Sequence, residues 1–446
     1  MKNSLYYRLP ALLWALCTLW CPLSAQSNAP STGSSGVPPV VHPSIGTETV
    51  TPDGHMTIRL VAKKQNYPDG PAASRDTDIF SPKSVNVHPN GRKYYVNSLE
   101  GGTTVVFDSR THEKLKVIRH TFTEDDAPLW APASGLFPFR HHYDHPMRFY
   151  GKPVESTFSH YGRYLWVPYY RRSFDINAQE PSAVAIIDTE SDSIVRMMET
   201  GPLPKMIATS PDNSLVAISH WGDNTVGLID ISSPFPEQWR YRACVVVDYQ
   251  LKLDFSTTVP VDRDNGSGYA LRGTVFTPDG RYLLVGCMGG SGGIAVIDVA
   301  HSKYLGRVMG MMSNVRHLLI AGDYLYLSIN AAGYVQRIPL ATFLEAAGRL
   351  EGKTVSVNGF VNCKVGAGAR TIAASPDGRY IYAACNNSSR LCVVDAKSMQ
   401  LLTYLPLDSY PVGLDVSLDG KNIFVTSQGR KHHGGNCVDI LEVMTK

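Results

Sequence analysis

The sequence lacks an excess of charge of either sign. Its 446 residues include 42 Lys and Arg against 39 Asp and Glu, a formal net charge of +3. This balance predicts neither a nucleic-acid-binding protein nor a membrane-surface protein, both of which depend on broad basic surfaces. A transmembrane span is also missing, because no apolar run is long enough to cross a bilayer.

Several sequence motifs that are typical of particular enzyme classes are missing as well. The sequence contains no P-loop, no HExxH pair, no Cys-x-x-Cys pair and no haem-attachment motif. These absences exclude the enzyme classes that such motifs define. The sequence therefore predicts no catalytic residue, no bound cofactor and no metal ligand.

Cysteine is scarce beyond the N-terminus. Six cysteines follow residue 25, at positions 244, 287, 363, 385, 392 and 437. Free cysteines in so large a chain mostly act as buried apolar residues, so no catalytic thiol is predicted. Cys385 and Cys392 flank one hairpin loop and can face each other, which leaves a disulfide between them open.

The N-terminus has the parts of a secretory signal. Lys2 and Arg8 precede the apolar run 11–20, and the small Ala25 offers a cleavage site. The stretch 26–45 is rich in Pro, Gly and Ser, which predicts a flexible linker. We therefore expect a soluble, extracytoplasmic protein, either periplasmic or secreted.

A repeated phrase dominates the rest of the chain. "SPDGRYIYAAC" (375–385) returns as "TPDGRYLLVGC" (277–287), and weaker copies mark five further units. Pro presets φ, Asp bonds its own backbone and Gly accepts positive φ, so the phrase predicts a tight turn between two strands. A third strand, which ends in Asp in most units, follows each copy.

Seven such units, each of about 40 residues and four strands (a to d), predict an all-β, seven-bladed β-propeller. The seventh unit supplies only three strands, so the strand-like run 56–64 is expected to complete it and close the ring. The predicted domains are a signal peptide at 1–25, a linker at 26–45 and one propeller at 46–446.

The stretch 375–407 resembles the YVTN-type β-propeller repeats of secreted and periplasmic bacterial proteins, and the resemblance covers roughly 80–446. It implies the fold and several functions, because that family includes binding proteins, surface-layer components and relatives of the amine-dehydrogenase and lactonase propellers. The fifth unit departs from the pattern. Its turn within 320–328 is shortened, and 338–352 is predicted to form an inserted helix.

Long connections concentrate on the rim that carries the d–a and b–c loops. They are a d–a insertion at 121–153, a b–c loop at 171–181 and a d–a connection at 249–268. The other rim has mostly tight turns. Because long loops on a rigid scaffold carry most binding sites, we expect the d–a/b–c rim to be the functional face.

A basic residue stands at one register in five of the seven units, eight positions before the turn or six where the turn is two residues shorter. These residues are Lys83, Lys205, Arg272, Arg316 and Arg370. Only Val154 and Val412 interrupt the series. The register begins the innermost strand, so the five cations are expected to surround the mouth of the central channel. Their mutual repulsion requires either nearby carboxylates or an anionic ligand, and both alternatives stay open.

Histidines cluster twice in the loops. His141, His142 and His145 lie in the insertion, and His432 and His433 lie in the last b–c loop. Imidazole can bind Zn or Cu. Adjacent loop histidines lack the i, i+4 spacing that places two ligands on one helix face, so solvated histidines are the prediction and a metal is the alternative.

His220 and Trp221, at the start of the b–c loop 220–224, join the five basic residues as candidate ligand contacts. The sequence predicts an extracytoplasmic binding or scaffold protein that uses the d–a/b–c face to bind an anionic small molecule, peptide or glycan, or a protein partner. The alternative is a lactonase-like or amine-dehydrogenase-like propeller enzyme using the same face, with a metal or a quinone-bearing partner subunit. No nucleic-acid partner is expected.

Overall fold

The computed structural model describes residues 39–67, 72–430 and 433–446. The predicted signal peptide at 1–25 and most of the predicted linker lie outside these residues, and so does His432. The described chain forms seven antiparallel sheets of at least four strands each. The innermost strands of neighbouring sheets pack beside one another around a central axis. The prediction of an all-β, seven-bladed propeller is confirmed.

The blades repeat one strand order. The innermost strands, a, are Pro82–Val87, Thr157–Ser159, Pro204–Thr209, Leu271–Phe276, Val315–Ala321, Ala369–Ala374 and Pro411–Val416. The b strands are Lys93–Ser98, Tyr164–Arg172, Leu215–His220, Tyr282–Cys287, Tyr324–Ile329, Tyr380–Cys385 and Asn422–Ser427. The c strands are Thr103–Asp108, Ser182–Asp188, Thr225–Asp230, Ile294–Asp298, Tyr334–Pro339, Arg390–Asp395 and Cys437–Thr445. The outermost strands, d, are Lys114–Arg119, Ser193–Thr200, Arg240–Val246, Lys303–Met309, Val361–Lys364, Leu401–Pro406 and Met56–Gln65.

The repeated phrase forms the a–b turn of each blade, as its residue types require. In blade 6 a carboxylate oxygen of Asp377 accepts hydrogen bonds from the Ser375 hydroxyl and the Arg379 amide, at 2.6 and 3.1 Å. Gly378 follows with φ of +70°, a conformation that costs glycine little. These bonds join residues two positions apart, so the turn forms locally.

The ring closes through the N-terminal strand. Met56–Gln65 pairs antiparallel with Cys437–Thr445 along its whole length, from Met56 opposite Thr445 to Gln65 opposite Cys437. The short strand Glu48–Val50 adds a fifth strand outside it. The predicted closure is confirmed. Within the predicted linker, the amide of Val41 donates to the Ser409 hydroxyl at 2.8 Å.

The apolar core lies between blades rather than at the axis. Trp166 of blade 2 stacks on Trp239 of blade 3 with ring centroids 5.1 Å apart, and both are at most 1% exposed. Tyr94 of blade 1 contacts Phe424 of blade 7 at 4.5 Å. Each blade therefore depends on both neighbours to bury its faces, which makes closure of the ring a condition of stability.

Two insertions decorate the repeat. At the base of the first insertion, strand Thr121–Phe122 pairs with strand Phe149–Pro153. The second of these strands also pairs antiparallel with strand b of blade 2. In blade 5 the predicted helix is present as Leu340–Ala347. The strand that follows it, Lys353–Ser356, pairs in parallel with strand d of blade 4. Blade 5 therefore retains four strands while its insertion extends its neighbour.

Short 3₁₀ turns complete the secondary structure. They are Ala72–Ser74, Glu124–Leu129, His160–Gly162, Pro236–Gln238 and Asn386–Ser388. Among the described residues, no helix is long and apolar enough to cross a membrane.

Candidate functional site

Two of the long connections interlock on the d–a/b–c rim. The Nε2 of Gln179 donates to the carbonyl of Phe255 at 2.9 Å, and the Nδ2 of Asn177 donates to the carbonyl of Ser256 at 2.7 Å. Arg263, only 5% exposed, donates to the carbonyls of Asn177 and Ala178 at 2.7 and 2.8 Å. We call 171–181 and 249–268 together the loop cap. A buried guanidinium surrounded by carbonyl oxygens holds this cap in one arrangement.

The insertion is tied to the same cap. The backbone N–H of Arg140 and the Nδ1 of His141 contact the two carboxylate oxygens of Glu180, at 2.7 and 2.5 Å. The Glu180 side chain is fully buried. The three long segments of this rim therefore form one continuous structure.

The five basic residues at the start of the innermost strands lie near one another, and we call them the basic ring. The pKa of Lys83 is held well below its ordinary value by burial, and then by the charges of Arg370 and Arg272. Burial and then Arg272 lower the pKa of Lys205 in the same way. The pKa of Arg316 is lowered by burial and then by Arg370. These basic residues are therefore poorly hydrated and close enough for their charges to act on one another.

Few carboxylates lie close enough to pair with these basic residues. Nη2 of Arg272 lies 2.9 Å from Oε1 of Glu155, the residue next to Val154, which interrupts the series. In the described parts of the chain, this is the one salt bridge made by any member of the basic ring. Asp264 attracts Lys205 and Arg272 at longer range. The basic ring thus holds five cations and one directly paired acid.

Arg370 shows the imbalance most directly. It is 4% exposed, yet its Nε and Nη2 have no hydrogen-bond partner among residues 39–67, 72–430 and 433–446. Its Cζ lies 6.0 Å from the centroid of the Tyr410 ring. Nε of Arg316 also has no partner within those ranges. Buried N–H groups are normally satisfied, so these donors mark a place where an acceptor is expected.

Lys205 connects the basic ring to the outer rim. Its Nζ lies 4.2 Å from the centroid of Tyr170 and 5.2 Å from that of Trp221, in cation–π contact with both. It also lines a cavity of about 430 Å³ beneath the loop cap, together with Lys152, Arg171, Arg263 and Asp264. Lys205 is the member of the basic ring that lines this cavity.

His220 and Trp221 lie inside the fold rather than on its surface. His220 is fully buried, with Nδ1 2.7 Å from the Thr225 hydroxyl and Nε2 accepting the Gly201 amide at 3.1 Å. Burial lowers the pKa of His220 to about 3, so the ring is neutral. Trp221 is 6% exposed, and its indole N–H donates to the Arg263 carbonyl at 3.0 Å. Trp221 contacts the basic ring through Lys205, whereas the hydrogen bonds of His220 stay within the packed blades.

The three histidines of the insertion each contact a different carboxylate. His142 is 88% exposed beside Asp144, and His145 lies 3.0 Å from Glu124. Among the described residues, the one group of three metal-ligating side chains is Asp408, Cys437 and Asp439. That group already faces a cation, because Lys63 Nζ lies 2.5 Å from an Asp408 oxygen.

Sequence reading passed over two features of this region. Glu155 has a signal in the sequence, because an acid directly follows the position where the basic series is interrupted. The loop 289–293 reads GGSGG and so matches the letters GxSxG. It joins strands b and c of blade 4, whereas a nucleophile elbow joins a strand to a helix, so the match carries no chemistry.

The fold has many relatives among solved structures. Hydrazine synthase of Kuenenia stuttgartiensis superposes with a TM-score of 0.57 at 15% identity, covering 85% of this chain and 99% of that one. The β-propeller domain of Cps50 (Swd1) from Myceliophteria thermophila gives 0.55 at 14%, covering 82% and 97%. The sequence matches no protein-family model and no curated protein. At such identities these similarities establish the propeller fold alone.

Proposed function

We propose that the protein is a non-enzymatic, extracytoplasmic binding protein, similar to the YVTN-type propellers, that holds an anion at its basic ring. The observation that carries the proposal is that Nε and Nη2 of the buried Arg370 guanidinium have no hydrogen-bond partner among the described residues, although four other basic residues lie close by. The pattern of the first 25 residues supports the extracytoplasmic location. The cavity under the loop cap supports entry from the d–a/b–c face.

The alternative is that the basic residues form structural ion pairs within the protein. It requires a carboxylate or carbonyl for each cation, and Arg272 is the member that meets it, through Glu155. Arg370 is as deeply buried as Arg272 and has two unsatisfied nitrogens. Burial of an unanswered charge costs several kcal/mol. A bound anion offsets that cost, and a guanidinium presents paired N–H groups that suit carboxylate and phosphate oxygens.

The test measures binding of simple anions to the full chain. Sodium acetate, sodium succinate and sodium phosphate are compared with sodium chloride at equal ionic strength, by melting temperature and by calorimetric titration. At least one oxyanion should raise the melting temperature above the chloride value. Arg370→Gln should raise its Kd tenfold or more, because charge-assisted hydrogen bonds contribute about 1.5–3 kcal/mol each.

Arg349→Gln is the matched control. Arg349 follows the blade 5 helix, is 56% exposed and pairs with Glu345 at 3.2 Å, so its loss should leave anion binding unchanged. The proposal is wrong if no oxyanion stabilises the protein beyond chloride. It is equally wrong if Arg370→Gln and Arg349→Gln bind the anions as the parent does.

A further inference from the structure

A second cavity lies on the other side of the basic ring. It has a volume of about 460 Å³, within the ~300–1,000 Å³ usual for small-molecule sites. Its lining comes from the innermost strands and from the a–b turns at 376 and 417–418. It therefore follows the central channel from the basic ring towards the a–b rim.

The wall nearest the basic ring is mostly polar. Four members of the ring are followed in sequence by a residue that lines this cavity, and Glu155 follows Val154 in the same way. The lining residues of this first layer are Ser84, Glu155, Met206, His317, Thr371 and Gly413. Glu155 lines this cavity and pairs with Arg272 at 2.9 Å, so the cavity reaches the basic ring.

The wall at the far opening is apolar. From four to six positions beyond the ring register, the lining residues of blades 5 to 7 are Ile320, Ala321, Ala374, Pro376, Val416, Ser417 and Leu418. Leu418 is 56% exposed. Strands rise about 3.3 Å per residue, so this opening lies about 20 Å from the cations.

One acid lies between these layers, and it is already engaged. The carboxylate of Asp415 accepts the amide N–H of Val87 at 2.7 Å and that of Val416 at 2.9 Å. Burial raises the pKa of Asp415 to about 6. Its charge is bound to the backbone of blade 1, so the apolar stretch remains available to hydrocarbon.

We propose that the anion is the head group of an amphiphile, an oxyanion attached to an alkyl chain. The head binds at the basic ring, and the chain lies along the 460 Å³ cavity towards the a–b opening. This inference rests on the proposed function, to which it adds the ligand class. A change from charged to polar to apolar along one channel matches such a molecule, whereas a small ion would leave the apolar stretch unused.

The experiment varies chain length at constant charge. Acetate, hexanoate, octanoate and decanoate are titrated into the full chain below their micelle concentrations, with 1-octanol as the uncharged analogue of octanoate. We expect the Kd to fall with each added methylene, by up to about fourfold where the methylene is fully buried. Octanol should bind at least tenfold more weakly than octanoate.

A variant at the far opening separates tail from head. Hexadecanoate is added to the series as a chain long enough to span the ~20 Å to this opening. Leu418→Asp should weaken hexadecanoate at least fivefold and leave acetate unchanged. Leu115→Asp, at a position 50% exposed on the outermost strand of blade 1, is the control and should change neither. Both positions are exposed, so each variant should fold.

The possible failures are distinguishable. If acetate and decanoate bind equally, or if Leu418→Asp behaves as Leu115→Asp does, the amphiphile is wrong while the anion site stands. If octanol binds as tightly as octanoate, the head is not recognised, and the amphiphile is again wrong. If neither these carboxylates nor succinate or phosphate bind, the proposed function fails as well.

Discussion

Two buried charge clusters in this propeller have opposite balances. At the ring closure, Lys63 of the N-terminal strand contacts Asp408 at 2.5 Å and lies 4.0 Å from Asp439. His42 adds a contact to Asp408 at 2.5 Å. One lysine thus stands between two fully buried carboxylates. The basic ring has the inverse arrangement, with five cations and Glu155 as the directly paired acid.

The two clusters differ in whether the chain itself supplies a partner for each buried charged group. In the closure cluster every partner belongs to the chain: the Asp408 amide and the Ser427 hydroxyl both donate to Asp439 at 3.1 Å. Burial and the neighbouring Asp408 raise the pKa of Asp439 well above its ordinary value, so this acid tends to keep a proton. The cluster is complete without a ligand. In the basic ring, by contrast, Nε and Nη2 of Arg370 have no partner among the described residues.

The largest expected effect is at the closure. Lys63→Met should lower the free energy of unfolding by about 3–5 kcal/mol, because it leaves the buried carboxylate of Asp408 without its lysine partner. Chemical denaturation of the full chain measures this. Arg59→Met on the same strand is the control. Its pair with Glu48, at 2.6 Å and about 45% exposed, should contribute less than about 1 kcal/mol. Equal losses in the two variants would contradict a structural role for the closure cluster.

An intermediate effect distinguishes two arginines of the basic ring. Arg272→Gln should destabilise the protein by about 1–3 kcal/mol, because it leaves Glu155 without its salt bridge. Arg370→Gln should leave the melting temperature unchanged or higher, since burial disfavours the charge of Arg370 and two of its nitrogens have no hydrogen-bond partner among the described residues. Both are measured without added oxyanion. A loss of stability in Arg370→Gln as large as that in Arg272→Gln would show that the guanidinium of Arg370 is structurally paired.

The last expected effect is a dependence of stability on pH, measured on the parent protein before any substitution. The folded protein lowers the pKa of Lys83 and of Lys205, so between those lowered values and about 10.4 the unfolded chain binds more protons. Stability should therefore rise with pH in that range, by at most about 1.4 kcal/mol per unit for each lysine. Unfolding curves between pH 7 and 10 test this. Lys83→Met/Lys205→Met should lose the rise. A parent protein whose stability falls over this range would contradict it.

Much of the fold depends on interactions between residues close in sequence, and it could therefore be predicted from the sequence. Asp377 and Gly378 form a turn through bonds that span two residues, so the same letters form it wherever they recur. A constant count from turn to strand start also assigns Arg272 and Arg370 to equivalent places in different blades. The missing strand of the last blade predicted the closure by residues 56–64 in the same way, because a four-stranded repeat leaves one position to fill.

Only the tertiary structure decided which charged side chains form ion pairs with one another. Lys63 and Asp408 are 345 positions apart, and no repeat relates them. His220 ends strand b of blade 3 and is fully buried, which the pattern of the b–c loop does not reveal. By itself the sequence determined that the basic residues begin the innermost strands, because strand register is a local count. Which of them has a carboxylate, and which is left without one, depends on the packing of side chains from separate blades.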